Sequence, residues 1–294
     1  MKRLYRMVCV DLDGTTLTTD KRLTSRTKNI LEHLDAHGVP VIIATGRAIY
    51  SVRELFYDVR LSHPVVTLNG AVIFEGLSGS VLHYEKIDEQ ALLKLLMLAE
   101  KDARIENMLL EALNGYYVRR YDEEVQKTFT DYRKIPPRTL DVQSLSDEAV
   151  TNLLLRPRDE DKAYVHAQLQ EALSGEIYFA KTSWTWIEGI RAGVHKAQAM
   201  RTVARRLGIP LEAVVAFGDE WNDVEMLQEA GLGIAMENGS ELAKAAADLI
   251  APSNDEEGVA RMLEEIFADV LAVTGYQRPS PLRTFIPYRP SEEY

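Results

Sequence analysis

Short apolar runs alternate with amphipathic segments in the N-terminal part of the chain. The apolar runs lie at 8–10, 39–44 and 65–68, and residues 71–74 resume the pattern after a turn. Runs of this length that are rich in β-branched side chains predict buried strands. The apolar positions between the runs recur at helical spacing, and Gly38 stands where a glycine commonly ends a helix. The helical positions are Ile30, Leu31, Leu34, Val52, Leu55, Phe56 and Val59.

The pattern changes near residue 76. Glycine and serine residues at 75–80 predict a turn, and Asn114-Gly115 is a strong hairpin signal. Hairpins mixed with helices are typical of an α+β unit inserted into the first domain. Residues 120–148 show no clear pattern. The predicted strands lie at 81–84, 106–111, 116–119, 150–155, 177–181 and 184–188, and the predicted helices at 88–100 and 159–173.

From Gly193 onwards the first pattern returns. The residues at 274–294 include four prolines and few aliphatic side chains, so we predict a tail there. The predicted strands of this part lie at 213–217, 232–235 and 249–250. The predicted helices lie at 195–207 and 255–271, with a short helix after residues 218–223 that ends at Glu229 and another that begins at Ser240.

Strands that alternate with helices pair in parallel through right-handed crossovers. We therefore predict an α/β fold, with a doubly wound parallel sheet as its core and an inserted α+β cap. The core comprises residues 1–82 and 189–272, the cap residues 83–188, and the tail residues 273–294. In such a sheet, ligands bind beyond the carboxyl ends of the strands.

Composition and charge narrow the class of protein. Of the 294 residues, 46% are hydrophobic and 27% are charged, which is the balance of an ordinary globular protein. The net charge of −11 argues against nucleic acid or an anionic membrane as partner. The chain has one cysteine, Cys9, inside the first strand, and no apolar stretch long enough to cross a bilayer. We expect a cytoplasmic protein.

Two aspartates lie where the first strand ends. Asp11 and Asp13 are two positions apart, so in an extended chain their carboxylates point to the same side. Two carboxylates this close repel each other unless a cation lies between them or one of them is protonated. A simple polar turn would explain Asp13-Gly14, but it would leave Asp11 at the end of the apolar run without a reason.

Further candidates stand at strand ends or helix starts of the same sheet. Each has an ordinary explanation, because Thr45 could cap a helix, Lys196 could be solvated, and Asp219 could belong to a turn. Together, the carboxylates, the hydroxyl and the lysine suit a phosphate held on Mg²⁺, which prefers hard oxygen ligands. The sequence contains no zinc-type cluster of Cys and His and no glycine-rich nucleotide loop. The candidates are Thr45, Lys196, Asp219, Asn222 and Asp223.

In motif content and order, the chain resembles the haloacid dehalogenase superfamily. The resemblance rests on four motifs, which are Asp11-Leu12-Asp13-Gly14-Thr15, Thr45-Gly46-Arg47, Lys196 and Gly218-Asp219-Glu220-Trp221-Asn222-Asp223. The position of the insert, together with Asn69-Gly70-Ala71, Ala235-Met236-Glu237-Asn238 and residues 253–260, makes it similar to the Cof-type phosphatase branch. Ala197 and Gly239 depart from that branch without touching the chemistry. The resemblance covers roughly residues 5–270.

The resemblance implies roles for the acidic residues. Asp11 would attack the phosphorus and form an aspartyl-phosphate. Asp13 would be the general acid for the leaving alcohol and then the base for water, and its backbone carbonyl would be a metal ligand. The carboxylates of Asp11 and Asp219 would bind Mg²⁺, with Asp223 as a further ligand or as support.

The resemblance also implies a phosphate site. The Thr45 hydroxyl and the Gly46 amide would hold phosphate oxygens, and Lys196 would neutralise the charge of the transferring group. Asn222 would contact phosphate or orient a metal ligand. Leu12 and Arg47 complete the predicted substrate-binding set, although an arginine at a helix start is about as often structural.

The function implied is a magnesium-dependent phosphatase for a small phosphorylated metabolite, such as a sugar phosphate or a cofactor-related nucleotide. Alternatives are a sugar phosphomutase, a disaccharide-phosphate phosphatase and, in another class, a regulator that accepts phosphate without turnover. We expect a monomer or a weak homodimer. In this architecture the cap would contact the leaving group. Trp184, Trp186 and Glu188 could contribute, but the tryptophans are at least as well explained by packing.

Overall fold

The computed structural model describes residues 5–56, 59–76, 79–113, 115–126, 137–141, 148–180 and 185–277. The chain divides into two compact units. The first, which we call the core, comprises Met1–Leu82 and His195–Tyr294, and the second, which we call the insert, comprises His83–Val194. The second junction therefore lies after Val194, whereas the sequence predicts it after residue 188.

Strands and helices are numbered in chain order. The strands are β1 (Met7–Val10), β2 (Val41–Ala44), β3 (Val65–Thr67), β4 (Val72–Phe74), β5 (Val81–Tyr84), β6 (Ile105–Ala112), β7 (Gly115–Val118), β8 (Arg138–Thr139), β9 (Val150–Pro157), β10 (Ile177–Ala180), β11 (Ile187–Arg191), β12 (Val214–Gly218), β13 (Leu232–Met236) and β14 (Leu249–Ala251). The helices are α1 (Ser25–Ala36), α2 (Ile49–Leu55), α3 (Glu89–Lys101), α4 (Glu123–Val125), α5 (Lys162–Ala172), α6 (Lys196–Arg206), α7 (Val224–Glu229), α8 (Glu241–Ala246), α9 (Gly258–Ile266) and α10 (Ala268–Thr274).

One sheet, in the order β14-β13-β12-β1-β2-β3-β4-β5, forms the centre of the core. The pairs from β14 to β3 are parallel, which confirms the predicted doubly wound α/β fold. Strand β1 lies between β2 and β12, with Val10 opposite both Ile43 and Phe217. The residues that follow β1, β2 and β12 consequently emerge side by side at one edge of the sheet. This edge carries the predicted site.

Helices cover both faces of the core sheet. Because alternate residues of a strand point to opposite faces, Val8 and Val10 join an apolar cluster with α1, α2 and α9. Met7 and Cys9 face the other way and join a second cluster with α6, α7 and α8. All four residues of β1 are fully buried. A strand that is buried on both faces has a continuous apolar sequence, as Met7–Val10 does.

The core departs from the predicted elements at two places. Strand β4 runs antiparallel to β3, because only the short 3-10 turn Leu68–Gly70 connects them. The helix predicted at 255–271 is two helices, α9 and α10, which meet at Phe267. Phe267 has φ −104° and ψ 21°, outside the helical range, but its side chain stays in the same apolar cluster as Leu263 and Leu271.

The insert has its own sheet and its own apolar cluster. Its strand order is β10-β11-β9-β6-β7-β8, with antiparallel pairs except between β7 and β8. Helices α3 and α5 contribute Leu92, Leu95 and Leu169 to a cluster that also contains Leu153 and Phe179 of the sheet. The unit is therefore a mixture of helices and antiparallel strands.

The last strand of the insert and the C-terminal tail differ from the prediction or are only partly described. The strand predicted at 184–188 lies at Ile187–Arg191, where it pairs with β9 and β10, so its last residues extend past the predicted domain boundary. Residues 181–184 lie outside the described residues. Of the predicted tail, residues 273–277 are described: α10 ends at Thr274, and Tyr276 packs against an apolar cluster of the core. Residues 278–294 are outside the described part. Within the described ranges, no helix is both long and apolar enough to cross a membrane.

Candidate active site

Asp11 follows β1 directly and lies at the centre of the site. Its backbone N–H donates to the carbonyl of Phe217 at 3.0 Å, and the hydroxyl of Thr16 donates to its carbonyl at 2.5 Å. These bonds fix the backbone on the edge of the sheet. The residue is 4% exposed, so its carboxylate has left bulk water. One oxygen, Oδ1, accepts a hydrogen bond from the Nζ of Lys196 at 2.6 Å.

Lys196 is a buried cation between two carboxylates. It is the first residue of α6, and its Nζ donates to Asp11 Oδ1 at 2.6 Å and to Asp223 Oδ1 at 2.7 Å. Burial by itself would lower the pKa of Lys196, but the two carboxylates raise it above its usual value. The ammonium therefore stays charged. Gly70 allows α6 to begin here, because a Cβ at this glycine would lie 2.6 Å from the carbonyl oxygen of His195.

Asp219 and Asp223 come from the loop after β12. The backbone N–H of Asp219 donates to Asp223 Oδ2 at 3.0 Å, and the Thr15 hydroxyl donates to Asp219 Oδ1 at 2.7 Å. Both loops need glycine for this approach. A Cβ at Gly14 would lie 2.2 Å from Asp219 Oδ2, and a Cβ at Gly218 would lie 2.4 Å from the Cβ of Asp223. The conformation of Gly14, with φ +83°, also favours glycine.

Three carboxylates of this site could hold a metal ion together. Asp11, Asp219 and Asp223 each offer one oxygen, and these oxygens lie within 4.8 Å of one another. Burial raises the pKa of Asp11 well above its usual value despite Lys196, and burial raises that of Asp219 to about 6. Burial is the largest cause of both shifts, and the neighbouring carboxylates add to it, because three carboxylates share one lysine. Oxygen ligands and surplus negative charge fit Mg²⁺.

Asp13 is held by cations rather than by the carboxylate cluster. Arg47 binds it with two hydrogen bonds, from Nε to Oδ2 at 2.5 Å and from Nη2 to Oδ1 at 2.6 Å. Lys21 Nζ lies 2.7 Å from Oδ1. Burial would raise the pKa of Asp13, but Arg47 and Lys21 outweigh it and lower the pKa to about 2. The carboxylate is therefore ionised, which is the state that a general base requires.

The predicted phosphate-binding residues cluster after β2. Thr45 is buried, and its hydroxyl accepts from the N–H of Arg47 at 3.1 Å. Asn69 follows β3 and joins the group, because its Oδ1 accepts from Asn222 Nδ2 at 2.8 Å. A Cβ at Gly46 would lie 3.1 Å from the same oxygen. The loops after β2, β3 and β12 thus meet at one place.

Apart from Thr45, Gly46 and Asn222, the predicted site residues lie in three different environments. Asp11, Asp219, Asp223 and Lys196 form one contact cluster. Arg47, which the sequence predicts to bind substrate, donates two hydrogen bonds to the carboxylate of Asp13. Leu12 is fully buried, and its place in the substrate-binding set stays a prediction.

Some residues of the site carry no role in the sequence-based prediction. They are Thr15, Lys21, Asn69 and Asn238, the last of which donates to the carbonyl of Gly14 at 2.8 Å. Thr15, Asn69 and Asn238 stand inside the segments that carry the family resemblance, which could have marked them. Lys21 has no such signal.

The predicted leaving-group residues are only partly described. Trp186 is 1% exposed, and the guanidinium carbon of Arg156 lies 5.3 Å from the centroid of its ring. This environment is that of a packing residue, as the sequence favours. Glu188 lies in β11, where a role in substrate contact stays a prediction. Trp184 lies outside the described residues.

The fold and the acidic site are those of a phosphoryl-transfer enzyme built on a doubly wound sheet. The family model of haloacid dehalogenase-like hydrolases matches residues 8–263, and the chain belongs to this family. The chain is 31% identical over 264 residues to the 5-amino-6-(5-phospho-D-ribitylamino)uracil phosphatase YitU of Bacillus subtilis, covering 89% of this chain and 97% of the relative.

Solved structures agree with this assignment. A haloacid dehalogenase-like hydrolase from Bacteroides thetaiotaomicron superposes with a TM-score of 0.78 at 26% identity, covering 90% of this chain and all (100%) of that one. The sugar phosphatase BT4131, of subclass IIB of the superfamily, gives 0.74 at 25% identity, covering 88% of this chain and 98% of that one. The chain is an enzyme, a phosphatase of the haloacid dehalogenase type.

Proposed function

We propose that the protein is a magnesium-dependent phosphatase that hydrolyses a phosphate monoester of a small metabolite through an aspartyl-phosphate. The observation that carries this proposal is the arrangement around Asp11. Its carboxylate is buried, it contacts Lys196 at 2.6 Å, and it shares a cluster of oxygens with Asp219 and Asp223. An attacking carboxylate needs neighbouring positive charge to accept a phosphate dianion, and Lys196 together with a metal ion held by the three carboxylates would provide it.

The chain's own residues divide the reaction between them. Asp11 attacks phosphorus, while Lys196, the Thr45 hydroxyl and the Gly46 amide bind phosphate oxygens. Asp11, Asp219 and Asp223, with the backbone carbonyl of Asp13, would hold Mg²⁺, whose contribution when bound is neutralisation of phosphate charge. Asp13 takes the proton of the water that hydrolyses the phosphoenzyme, and its ionised state suits that step.

The donation of a proton to the leaving alcohol needs the opposite charge state of Asp13. A substrate phosphate beside Arg47 would compete with Asp13 for the guanidinium. Weaker pairing with Arg47 raises the pKa of the Asp13 carboxyl group, which would let Asp13 carry the proton in the substrate complex. The acid role therefore belongs to the enzyme with substrate bound, and the base role to the phosphoenzyme.

For the substrate, we propose a phosphorylated polyol or sugar, alone or attached to a heterocycle. The support is similarity: YitU is named for a phosphoribityl-aminouracil, and BT4131 for a sugar phosphatase. A phosphomutase would transfer phosphate between positions of one sugar, whereas this proposal requires free phosphate. A regulator that only accepts phosphate would not need Asp13 fixed beside Asp11.

The test is release of inorganic phosphate from a panel of phosphorylated metabolites. The panel includes 5-amino-6-(5-phospho-D-ribitylamino)uracil, hexose and pentose phosphates, nucleotides and phosphorylated cofactors. We expect turnover with Mg²⁺ and none after metal removal with excess EDTA, with recovery when Mg²⁺ is added back. Calcium should support little turnover, because its looser coordination does not hold in-line geometry. Full activity in EDTA would contradict the metal proposal, and a stable phosphoprotein without phosphate release would favour the regulator.

A further inference from the structure

Lys21 lies in a tight turn that follows the Asp11-Asp13 segment. The N–H of Lys21 donates to the carbonyl of Thr18 at 2.8 Å, and the N–H of Thr18 donates to the carbonyl of Arg22 at 2.9 Å. Lys21 has φ +59°, in the left-handed region. Glycine is the usual residue at this position of such a turn, because a side chain there is strained. The chain therefore has a lysine where the backbone favours glycine.

The turn is anchored to the rest of the core. Thr19 donates to Asp255 twice, from its N–H to Oδ1 at 2.9 Å and from its hydroxyl to Oδ2 at 2.8 Å. The side chain of Asn254 donates to the carbonyl of Leu17 at 2.8 Å. These contacts fix the backbone on both sides of the turn tip. The position of the Lys21 Cα is thus determined by the fold, and its side chain leads from a fixed point to Asp13.

The ion pair of Lys21 has little value for stability. The Nζ lies 2.7 Å from Asp13 Oδ1, but the lysine side chain is 54% exposed and that of Asp13 is 35% exposed. Exposed ion pairs stabilise a fold little, by no more than a left-handed lysine costs. Asp13 already has a bidentate partner in Arg47. The ion pair with Asp13 does not offset the backbone strain at Lys21, and uncompensated strain of this kind is typical of functional sites.

We propose that Lys21 is a positioning residue for Asp13. It holds Oδ1 from the side of the turn while Arg47 holds the carboxylate from the other loop, so that the carboxylate keeps the orientation from which it exchanges a proton with the leaving oxygen and with water. The proposal rests on the proposed function, in which Asp13 moves that proton. Lys21 acts through Asp13 and not on the phosphate.

The test uses burst kinetics of the full-length protein with p-nitrophenyl phosphate and Mg²⁺. In Lys21→Ala, we expect hydrolysis of the phosphoenzyme to slow by about tenfold, a fraction of the roughly 10²–10⁴-fold that a general base contributes. The burst rate and kcat/KM should stay within about twofold of wild type, because nitrophenolate leaves without acid help, and KM should fall together with kcat. Lys21→Arg should restore most of the rate.

Two further variants separate positioning from folding. Lys21→Gly relieves the left-handed strain, so it should fold at least as well as wild type and still lose the rate as Lys21→Ala does. In an Asp13→Asn background, Lys21→Ala should add nothing, because the lysine acts only through Asp13. As a matched control, Lys244→Ala removes another exposed ion pair, Lys244 with Glu241 at 3.2 Å, and should leave both rates unchanged.

Each other outcome overturns the proposal. Unchanged phosphoenzyme hydrolysis in Lys21→Ala and Lys21→Gly would remove the role, and a raised KM with unchanged hydrolysis would make Lys21 a substrate contact. Additive losses in the Asp13→Asn background would show that Lys21 acts independently. Failure of the proposed function looks different, since wild type itself would then form no phosphoenzyme or would release no phosphate from it.

Discussion

Lys196 balances charge at the most buried point of the site. Its Nζ is the donor to Asp11 and Asp223, and the side chains of Lys196 and Asp223 are each 1% exposed. Removal of one member of a buried ion pair leaves the other uncompensated. Lys196 thus supports both the fold and the proposed attack by Asp11, and the two effects can be separated by pH.

We expect Lys196→Met to lower the free energy of unfolding by about 3–5 kcal/mol at pH 7.5 and to abolish turnover. Without the ammonium, the pKa of Asp11, which burial already raises, rises further. A carboxyl group whose pKa is higher in the folded state binds protons preferentially there, so acidification favours folding. The penalty should shrink at pH 5.5, as measured by urea unfolding. A pH-independent penalty would contradict this account, and Lys244→Met serves as the exposed control.

Substitution of Asp11 and substitution of Asp13 should block different steps of the reaction. In Asp11→Asn no phosphoenzyme should form. In Asp13→Asn the attack on p-nitrophenyl phosphate needs little acid help, but water still needs a base. Phosphoenzyme should therefore accumulate, with a burst of nitrophenolate before a slow steady state. Rapid-quench kinetics and intact mass measure this, with hydroxylamine removing the added phosphoryl group. Wild-type steady turnover in folded Asp13→Asn, or phosphate uptake by Asp11→Asn, would overturn the assignment.

Among the elements, the turn after β1 is the one that brings two parts of the site together. Gly14 has φ +83° and faces Asp219, while Gly38, at the end of α1, has φ +85° and open space around it. Alanine at either position costs roughly 1–2 kcal/mol for the left-handed backbone. Only at Gly14 does the added Cβ also meet a site carboxylate.

We therefore expect Gly14→Ala and Gly38→Ala to destabilise the protein similarly but to differ in activity. Gly14→Ala should displace Asp219 and lower kcat/KM by at least about 10²-fold, since small misplacements at a site have effects of this size. It should also raise the Mg²⁺ concentration that gives half-maximal rate. Gly38→Ala should keep both parameters. Thermal unfolding and Mg²⁺ titrations of the two variants measure the difference; equal activities would show that the turn tolerates the clash.

The elements also show what the sequence can and cannot predict. The buried strands β1, β2 and β12 follow from apolar runs, and the carboxyl ends of parallel strands place Asp11, Thr45 and Asp219 at one edge. The sequence does not reveal the break between α9 and α10, because apolar residues continue at helical spacing across it. These residues are Leu263, Phe267 and Leu271, which all belong to the same apolar cluster. The direction of β4 was predictable, since three residues cannot make a parallel crossover.

The sequence does not predict which side chains of separate loops contact each other. Thr15 meets Asp219 and Asn69 meets Asn222 across 204 and 153 positions of chain. Lys21 reaches Asp13 only because its turn is fixed by Thr19 on Asp255. Residue type and spacing do not reveal such side-chain partners. They depend on how separate loops are placed, which the sheet register decides.

At the scale of the whole molecule, the apolar clusters follow the division into two units. The buried residues of the two core clusters lie within 7–73 and 197–271. Those of the cluster in the insert lie within 87–187. No residue of the insert, as bounded by His83 and Val194, belongs to a core cluster among the described residues. A unit with its own apolar core can fold alone.

Deletion of residues 83–194, with Leu82 joined to His195 through a short glycine-serine linker, should therefore leave a folded core. Of the core sheet, the deletion removes only the last two residues of β5. Among the described residues, the side chains that bind the carboxylates of Asp11 and Asp13 are all kept. We expect cooperative thermal unfolding and residual turnover of p-nitrophenyl phosphate. The preference among metabolites should be lost, with kcat/KM for the best one lowered about 10²-fold, because binding energy from the remote part of a substrate is then unused. A folded core that kept the metabolite ranking of the full chain would show that the insert does not set specificity.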